Sequence, residues 1–486
     1  MILGAAIAVL AAIAVLAASV VVAAPAADAA SAHTAAALPG WLHTSGATIR
    51  TATGRAYVIK AVSWTGMETA GCAPTGLSAI SLDTGLARIA SMGFTTVRLP
   101  FANSCLAQKT AASIDASHNP LLVGLTPLQV MDVVVARARL YALTIILDQN
   151  RPDSSARSAL WYTAQFTEKR WISDWKALAK RYSSARNVIG FDLHNVPRGA
   201  SCWGCGVNAL DWRAAATRAG NAVLKINSHV LVIVEGIAKQ AASGTRWWSG
   251  SRSSVVAKPV ALTVKHRVVY SPHESPASSY PKSWLAAKNY PANLPGIWTR
   301  NWGYIDKKGI APVLLGGLGP TVTKRVDKLW LTTLVTYVAK NRTSFAYSAF
   351  APTGARPPGS LKRLLGAATT VPVSQEPILV PTTPPTPPAS TLTGSWQLQN
   401  SWTGGYAAQL VIASPVDVDG WTATWPDTTT TGITSTWGMA CSVVQGESIT
   451  CSGSDWGAHV AAGYPVVAGL VVTSTVVPAV PTITVR

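Results

Sequence analysis

Three carboxylates and two imidazoles in this chain stand at the ends of short apolar runs, where side chains able to do chemistry gather. Asp148 closes the run Leu143–Asp148, Glu235 lies at the end of Val230–Gly236, and His273 closes Val268–His273 with Glu274 behind it. His194-Asn195 closes Val188–Asn195 in the same way. Two carboxyl groups brought to one face can divide a reaction between a proton donor and a base or nucleophile. The competing role for Asp148, Glu235 and Glu274 is structural, as hydrogen-bonded partners of Arg or His. Arg98, inside the run Thr96–Phe101, is one such cation. No second histidine is spaced to share a metal with His194, so packing and hydrogen bonding is its expected role. No cofactor is expected.

The elements that must position these residues alternate in type. Eight strands are expected at Val58–Trp64, Thr96–Phe101, Leu143–Asp148, Val188–Asn195, Val230–Gly236, Val268–His273, Val313–Leu318 and Phe345–Phe350. Helical stretches lie between them, such as Thr126–Leu140, with Thr126 as cap and Pro127 in the first turn, and Thr321–Lys340. Repeated strand-helix units of this kind make an α/β fold, a (β/α)8 barrel, whose active sites are built where the strands end. The polar clusters sit at those ends.

The length of 486 residues exceeds one hydrophobic core, and the sequence divides accordingly. Residues 1–24 form an apolar run leading to Ala27-Asp28-Ala29 and Ala30-Ser31-Ala32, small-residue sites suited to cleavage. No Lys or Arg precedes that run, so segment 1–32 is expected to be either a signal peptide or a retained membrane anchor, and both place the protein outside the cytosol. A Pro/Thr stretch within 371–388 favours extended polyproline II and separates a first module, 38–370, from a second, 389–486. The modules differ in charge. Between His33 and Thr370 there are 39 Lys and Arg against 14 Asp and Glu, a net of +25, whereas Ala389–Arg486 holds one Arg and five acids, a net of −4. The basic barrel could attract an anionic cell-envelope polymer, but no basic helix, finger or RNA-binding signature accompanies the charge, so nucleic acid is not an expected partner. Six cysteines fit an oxidising compartment: Cys202 and Cys205 share a loop, and Cys441 and Cys451 flank a turn at Gln445-Gly446-Glu447. A zinc site would need a second close pair beside the first, so disulfides are expected. The 19 Trp suggest platforms for sugar rings, with most of them in cores.

Several strings carry a resemblance. Trp64-Thr-Gly-Met-Glu-Thr69, Thr96-Val-Arg-Leu-Pro100, Gly124-Leu-Thr-Pro-Leu-Gln-Val-Met-Asp132, Ser158-Ala-Leu-Trp-Tyr162, Gly190-Phe-Asp-Leu-His-Asn195 and Gly296-Ile-Trp-Thr-Arg-Asn-Trp-Gly-Tyr304 look like actinobacterial endoglucanases of glycoside hydrolase family 5. The resemblance implies a retaining β-1,4-glucanase barrel. In such enzymes one Glu after strand four protonates the leaving oxygen and another on strand seven attacks the sugar, the two carboxyls being roughly 5–5.5 Å apart. Arg98, Asn195 and His273 match cleft positions and are implied to bind substrate.

The two catalytic positions depart from the pattern. Where the family reads His-Asn-Glu-Pro this chain has His194-Asn195-Val196-Pro197, and where it reads Gly-Glu-Phe-Gly the chain has Gly316-Gly317-Leu318-Gly319. Valine has no proton to give and glycine no side chain to attack with. A general acid alone is worth about 10²–10⁴ in rate, and loss of the nucleophile closes the covalent route. Neighbouring motifs differ too, at Gln149-Asn150-Arg151-Pro152, His273-Glu274-Ser275 and Phe345-Ala-Tyr-Ser-Ala-Phe350. The expected barrel is therefore inactive or severely impaired as a glycosidase. The alternative is an active endo-β-1,4-glucanase with displaced carboxylates, for which Glu235 and Glu274 are the weak substitutes.

The second module is short-stranded and rich in Thr and Val, which reads as a β-sandwich. Asn400-Ser-Trp402-Thr-Gly-Gly-Tyr406, Asp419-Gly-Trp421, Thr436-Trp437 and Asp455-Trp456-Gly457 resemble family 2 carbohydrate-binding modules. That resemblance implies an exposed strip of Trp402, Trp437 and Trp456 with Trp421 in the core. Indole faces stack on the C–H faces of a glucan without needing charge. Cys441 and Cys451 are expected to bridge across a hairpin, and the resemblance implies a Cys202–Cys205 bond. Cys72 resembles a family cysteine whose partner position is Ser154 here, so it is either free or paired with Cys105. The combined expectation is a secreted or envelope-anchored, monomeric protein that binds cellulose or a related β-glucan.

Overall fold

The computed structural model describes residues 38–237, 254–279, 282–319, 322, 324–354, 359–365, 392–414, 418–460, 465–477 and 479–486. The expected signal or anchor segment, 1–32, and the Pro/Thr linker, 371–388, lie outside the described residues. Among the described residues, no helix is long and apolar enough to cross a membrane.

The first module is a closed parallel barrel. Its strands are β1 (Lys60–Ser63), β2 (Thr96–Ala102), β3 (Thr144–Arg151), β4 (Val188–Asp192), β5 (Leu231–Glu235), β6 (Val268–Ser271), β7 (Leu314–Leu318) and β8 (Ser344–Ser348). Each pairs with its sequence neighbour, β8 returns to β1, and the His273–Glu274 continuation of β6 pairs with Gly317 and Leu318 of β7 to close the ring. All eight expected strands are present, with ends shifted by a few residues.

Strand alternation decides what enters the barrel. Ala61, Ile146, Ile233, Val269, Leu314 and Ala346 form a small apolar cluster, joined by Leu42 and Ile49 of a preceding hairpin (Leu42–Ser45 with Thr48–Thr51). That hairpin is tied to the start of β6, where Arg267 donates to the Leu42 carbonyl and Thr44 to that of His266. Two residues further along each strand the same inward direction carries Ser63, Asp148, Glu235 and Ser271, because side chains repeat every second residue. The barrel is thus apolar at one end and polar at the other.

Helices α1 to α4 start where side chains satisfy their first amides. Helix α1 (Leu82–Ser91) is capped by Ser81, and α2 (Pro127–Leu140) has a capping box of Thr126 and Gln129 behind Pro127. Thr167 caps α3 (Glu168–Arg181) and Asp211 caps α4 (Trp212–Leu224). The last long helix, α5 (Arg325–Asn341), begins four residues later than expected and ends at Arg342 in the left-handed conformation.

The second module is all β. One sheet runs β9 (Thr393–Trp402), β10 (Gly405–Ala413), β15 (Val466–Ser474), β12 (Thr430–Trp437). The other runs β13 (Met439–Val444), β14 (Ser448–Gly453), β11 (Thr422–Pro426), β16 (Thr484–Val485). Trp396, Tyr406, Leu410, Trp421, Trp425 and Leu470 fill the space between, and the Tyr406 hydroxyl donates to Asp427 at 2.6 Å. Disulfides join Cys72–Cys105, Cys202–Cys205 and Cys441–Cys451. The last pair is directly opposed in the β13–β14 register. The sandwich meets the barrel beside α2: Gln409 Nε2 donates to the Leu121 carbonyl at 3.1 Å, and the Arg137 guanidinium, held by Asp83, also bonds the Ser435 hydroxyl.

Candidate active site at the barrel mouth

At the polar end of the barrel one guanidinium serves three carboxylates. Arg98, on β2, is 2.8 Å from Asp192, 2.8 Å from Glu235 and 3.1 Å from Asp148, and all four side chains are buried. Burial alone would weaken the Arg98 charge, but Asp148, Asp192 and Glu235 together raise its pKa above the ordinary value. The acids are raised as well, which for them favours the neutral form. Burial lifts Asp148, Asp192 and Glu235 above the usual carboxylate range, with Arg98 only partly opposing it. One cation cannot neutralise three anions, so this cluster holds protons near neutral pH. The oxygens of these three acids lie within 4.8 Å of one another, spacing that a metal could use, but the Arg98 guanidinium already forms ion pairs with all three.

Glu235 is further committed. Its Oε1 accepts from His273 Nε2 at 2.8 Å and its Oε2 from the Val196 amide at 2.7 Å. Burial, helped by the Arg98 charge, holds His273 down to about 3, so the ring is neutral and donates. Val196 pays for its bond in backbone strain: its φ is +57°, a region costly for a β-branched residue. His273 also explains two glycines. A Cβ on Gly317 would lie 2.6 Å from His273 Nδ1, and one on Gly316 would lie 2.2 Å from Ser271 Oγ and 2.6 Å from His273 Nε2. The imidazole rests against the bare backbone of β7.

Glu274 takes another environment. Successive strand residues face opposite ways, so it turns from His273 toward Trp302, whose Nε1 donates to it at 2.9 Å. Burial pushes its carboxyl up to about 7. His194 is fixed by a buried relay: it bonds Gln149, whose amide donates to Asn103 at 2.7 Å, which donates to Asp174 at 2.9 Å. Burial and then the nearby Arg198 charge lower His194 to about 3, and its ring packs edge-on to Trp212. Asn195 donates its amide to the Gln149 carbonyl at 3.0 Å.

This architecture has known relatives. Residues 54–353 match the cellulase family, glycosyl hydrolase family 5. The chain belongs to that family. It is 41% identical over 321 residues to an endoglucanase of Paenibacillus polymyxa, covering 64% of this chain and 80% of that one. To the major extracellular endoglucanase of Xanthomonas campestris pv. campestris it is 35% identical over 291 residues, 59% of this chain and 60% of the relative. The catalytic domain of that endoglucanase superposes with a TM-score of 0.61 at 30% identity, covering 67% of this chain and all of the domain. An endocellulase from Pyrococcus horikoshii, in complex with cellotetraose, gives 0.62 at 30% identity over 68% of this chain and 99% of that one.

Within this family 5 barrel the structure unites Arg98, Glu235 and His273, and it separates Glu274 from Glu235 on opposite sides of β6. Asp192 was not expected at the cluster. It stands on β4 directly opposite Asp148 of β3, and the strand ends there rather than at Asn195.

The sandwich corrects the expectation of an open aromatic strip. Gln409, Gly469 and Trp437 are paired across neighbouring strands, and Trp402 pairs with Gly405 on the same face. Trp402 is 46% exposed. Trp437 and Trp456 are each only 2% exposed. The Trp437 indole lies across Gly469, where a Cβ would come within 2.0 Å of its ring, and Gln409 beside them meets the barrel. Trp456 covers Gly438. Trp421 is buried, its Nε1 donating to the Gly457 carbonyl at 2.6 Å.

Proposed function

We propose that this is a secreted, monomeric polysaccharide-binding protein in which a family 5 barrel has lost hydrolysis and a cellulose-binding sandwich retains contact with β-glucan. By resemblance, Val196 occupies the acid/base position and Gly317 that of the nucleophile. The observation that carries the reading is the His273 ring packed on the β7 backbone at Gly317, where a nucleophile's side chain would have to begin. The deeper acids do not replace the missing pair: Glu235 spends its oxygens on Arg98, His273 and Val196, and Glu274 faces Trp302. Carboxyls raised to about 7 at Glu235 and Glu274 favour the rival reading, an active endo-β-1,4-glucanase with displaced acids. Export is supported by the apolar N-terminal run and three disulfides, and cellulose binding by the exposed Trp402.

The test pairs two measurements on one preparation. The chain should adsorb to insoluble cellulose, with little change between low and high salt, because a neutral polymer and a module of net charge −4 have no Coulombic attraction to screen. The same preparation should leave a soluble cellulose derivative intact. Val196→Glu combined with Gly317→Glu should recover little activity, since His273 stands in the way. Failure to adsorb would remove the binding role, and robust hydrolysis would establish the rival.

A further inference from the structure

Three arginines converge beside the position that Val196 occupies. Arg151 is the last residue of β3, and Arg198 follows the end of β4, the two strand ends being tied by the bond from the Asn195 amide to the Gln149 carbonyl. Arg198 donates its own amide to the Ala159 carbonyl at 2.8 Å, which draws the loop carrying Arg157 onto the same rim. Gly199 keeps that contact close, because a Cβ there would lie 3.1 Å from the Ala159 methyl. Arg198 Nη1 reaches the Val196 carbonyl at 3.4 Å, and Arg151 Nε reaches Asn150 at 3.3 Å. Among the described residues, no carboxylate lies within ion-pair distance of any of the three. Arg151 and Arg198 are half-buried and Arg157 is exposed.

The guanidiniums also repel one another. Burial and then the Arg157 charge lower Arg151, and burial, Arg157 and Arg151 in turn lower Arg198. Glu68 is the acid that offsets Arg151, but it is buried and its Oε2 accepts the Gly66 amide at 2.6 Å. Asp153 is taken up by its own turn, accepting from the Ser155 amide and hydroxyl. The deeper acids are bonded to Arg98. Guanidiniums without a carboxylate partner, two of them half-buried and one exposed, are suited to an incoming oxyanion, which each can meet with two parallel N–H donors.

We propose that Arg151, Arg157 and Arg198 form a binding site at the barrel mouth for an anionic polysaccharide, one whose sugars bear carboxylate or sulfate groups. A glucanase with both glutamates in place would repel such a chain; valine and glycine at positions 196 and 317 remove that repulsion. The barrel's net charge of +25 would raise the local concentration of the ligand, and the triad would hold it.

The test is calorimetric titration of the full chain with glucuronate-bearing oligosaccharides, sulfated dextran and neutral dextran at low and moderate salt. Either anionic arm, or both, should bind and neutral dextran should not; the stronger arm identifies the oxyanion. Combined Arg151→Gln, Arg157→Gln and Arg198→Gln should lower affinity by about 1000-fold, each of the three charge-assisted contacts being worth roughly tenfold. A control with Lys225→Gln, Lys265→Gln and Lys340→Gln removes the same charge from exposed positions elsewhere and should cost less than about threefold, as diffuse charge does. Removing mutual repulsion should leave the melting temperature of the arginine variant unchanged or higher, so lost binding would not reflect unfolding. Equal losses in the two triple variants, or binding that survives the arginine variant, would overturn the proposal, as would absence of binding to both anionic glycans.

Discussion

At the scale of single residues, the mouth of this barrel is governed by what burial does to charge. Glu274 keeps its proton to about 7 in the folded protein, whereas an unfolded glutamate releases it near 4.5. The native state therefore binds a proton that the unfolded chain gives up, and the stability from this group is complete below pH 4.5 and lost as pH rises through 7. Glu274→Gln keeps an oxygen for Trp302 and removes the titration. Denaturant unfolding at pH 5 and pH 8 should show the variant gaining on the parent by roughly 2–3 kcal/mol at the higher pH. Identical pH profiles would mean that Glu274 is not held neutral. Gly317 gives a second prediction. Gly317→Ala should displace His273 and break its bond to Glu235, lowering stability by about 1–3 kcal/mol. His273→Ala in the same background should cancel most of that cost, and additive losses would show that the ring does not rest on β7.

At the scale of elements, much of the barrel was legible because strand and helix periods are local. Eight apolar runs gave eight strands, and Thr126-Pro127 marked the start of α2. Less legible were contacts set by distant parts of the chain. The Asn103–Asp174 bond links a loop after β2 to α3, and nothing near either residue signals it. The sandwich shows the same boundary. Trp402, Trp421, Trp437 and Trp456 could be read, but burial of Trp437 depends on Gly469, far along the chain, and on the barrel beside Gln409. Gly469→Ala should push the Trp437 indole from the sheet and lower the melting temperature, at a cost of about 1–3 kcal/mol. Retained stability with an unshifted indole fluorescence maximum would contradict the close approach. The Cys441–Cys451 bridge was readable because both cysteines sit equally far from one turn.

At the scale of the whole molecule, a basic family 5 barrel is followed by an acidic all-β module. Trp402→Ala should weaken adsorption to cellulose by roughly 1–3 kcal/mol, by analogy with aromatic stacking on nucleic-acid bases, and leave stability unchanged. Trp437→Ala and Trp456→Ala should instead destabilise the sandwich by about 3–5 kcal/mol, as truncation of buried indoles does. Adsorption that is indifferent to Trp402 would assign cellulose binding to another surface. The most direct measurement of the account as a whole is release of reducing ends from a soluble cellulose derivative by the purified full chain, beside the variants Glu235→Gln and Glu274→Gln. The account predicts no release above the buffer control in any of the three; steady release by the parent chain, abolished by either substitution, would contradict it.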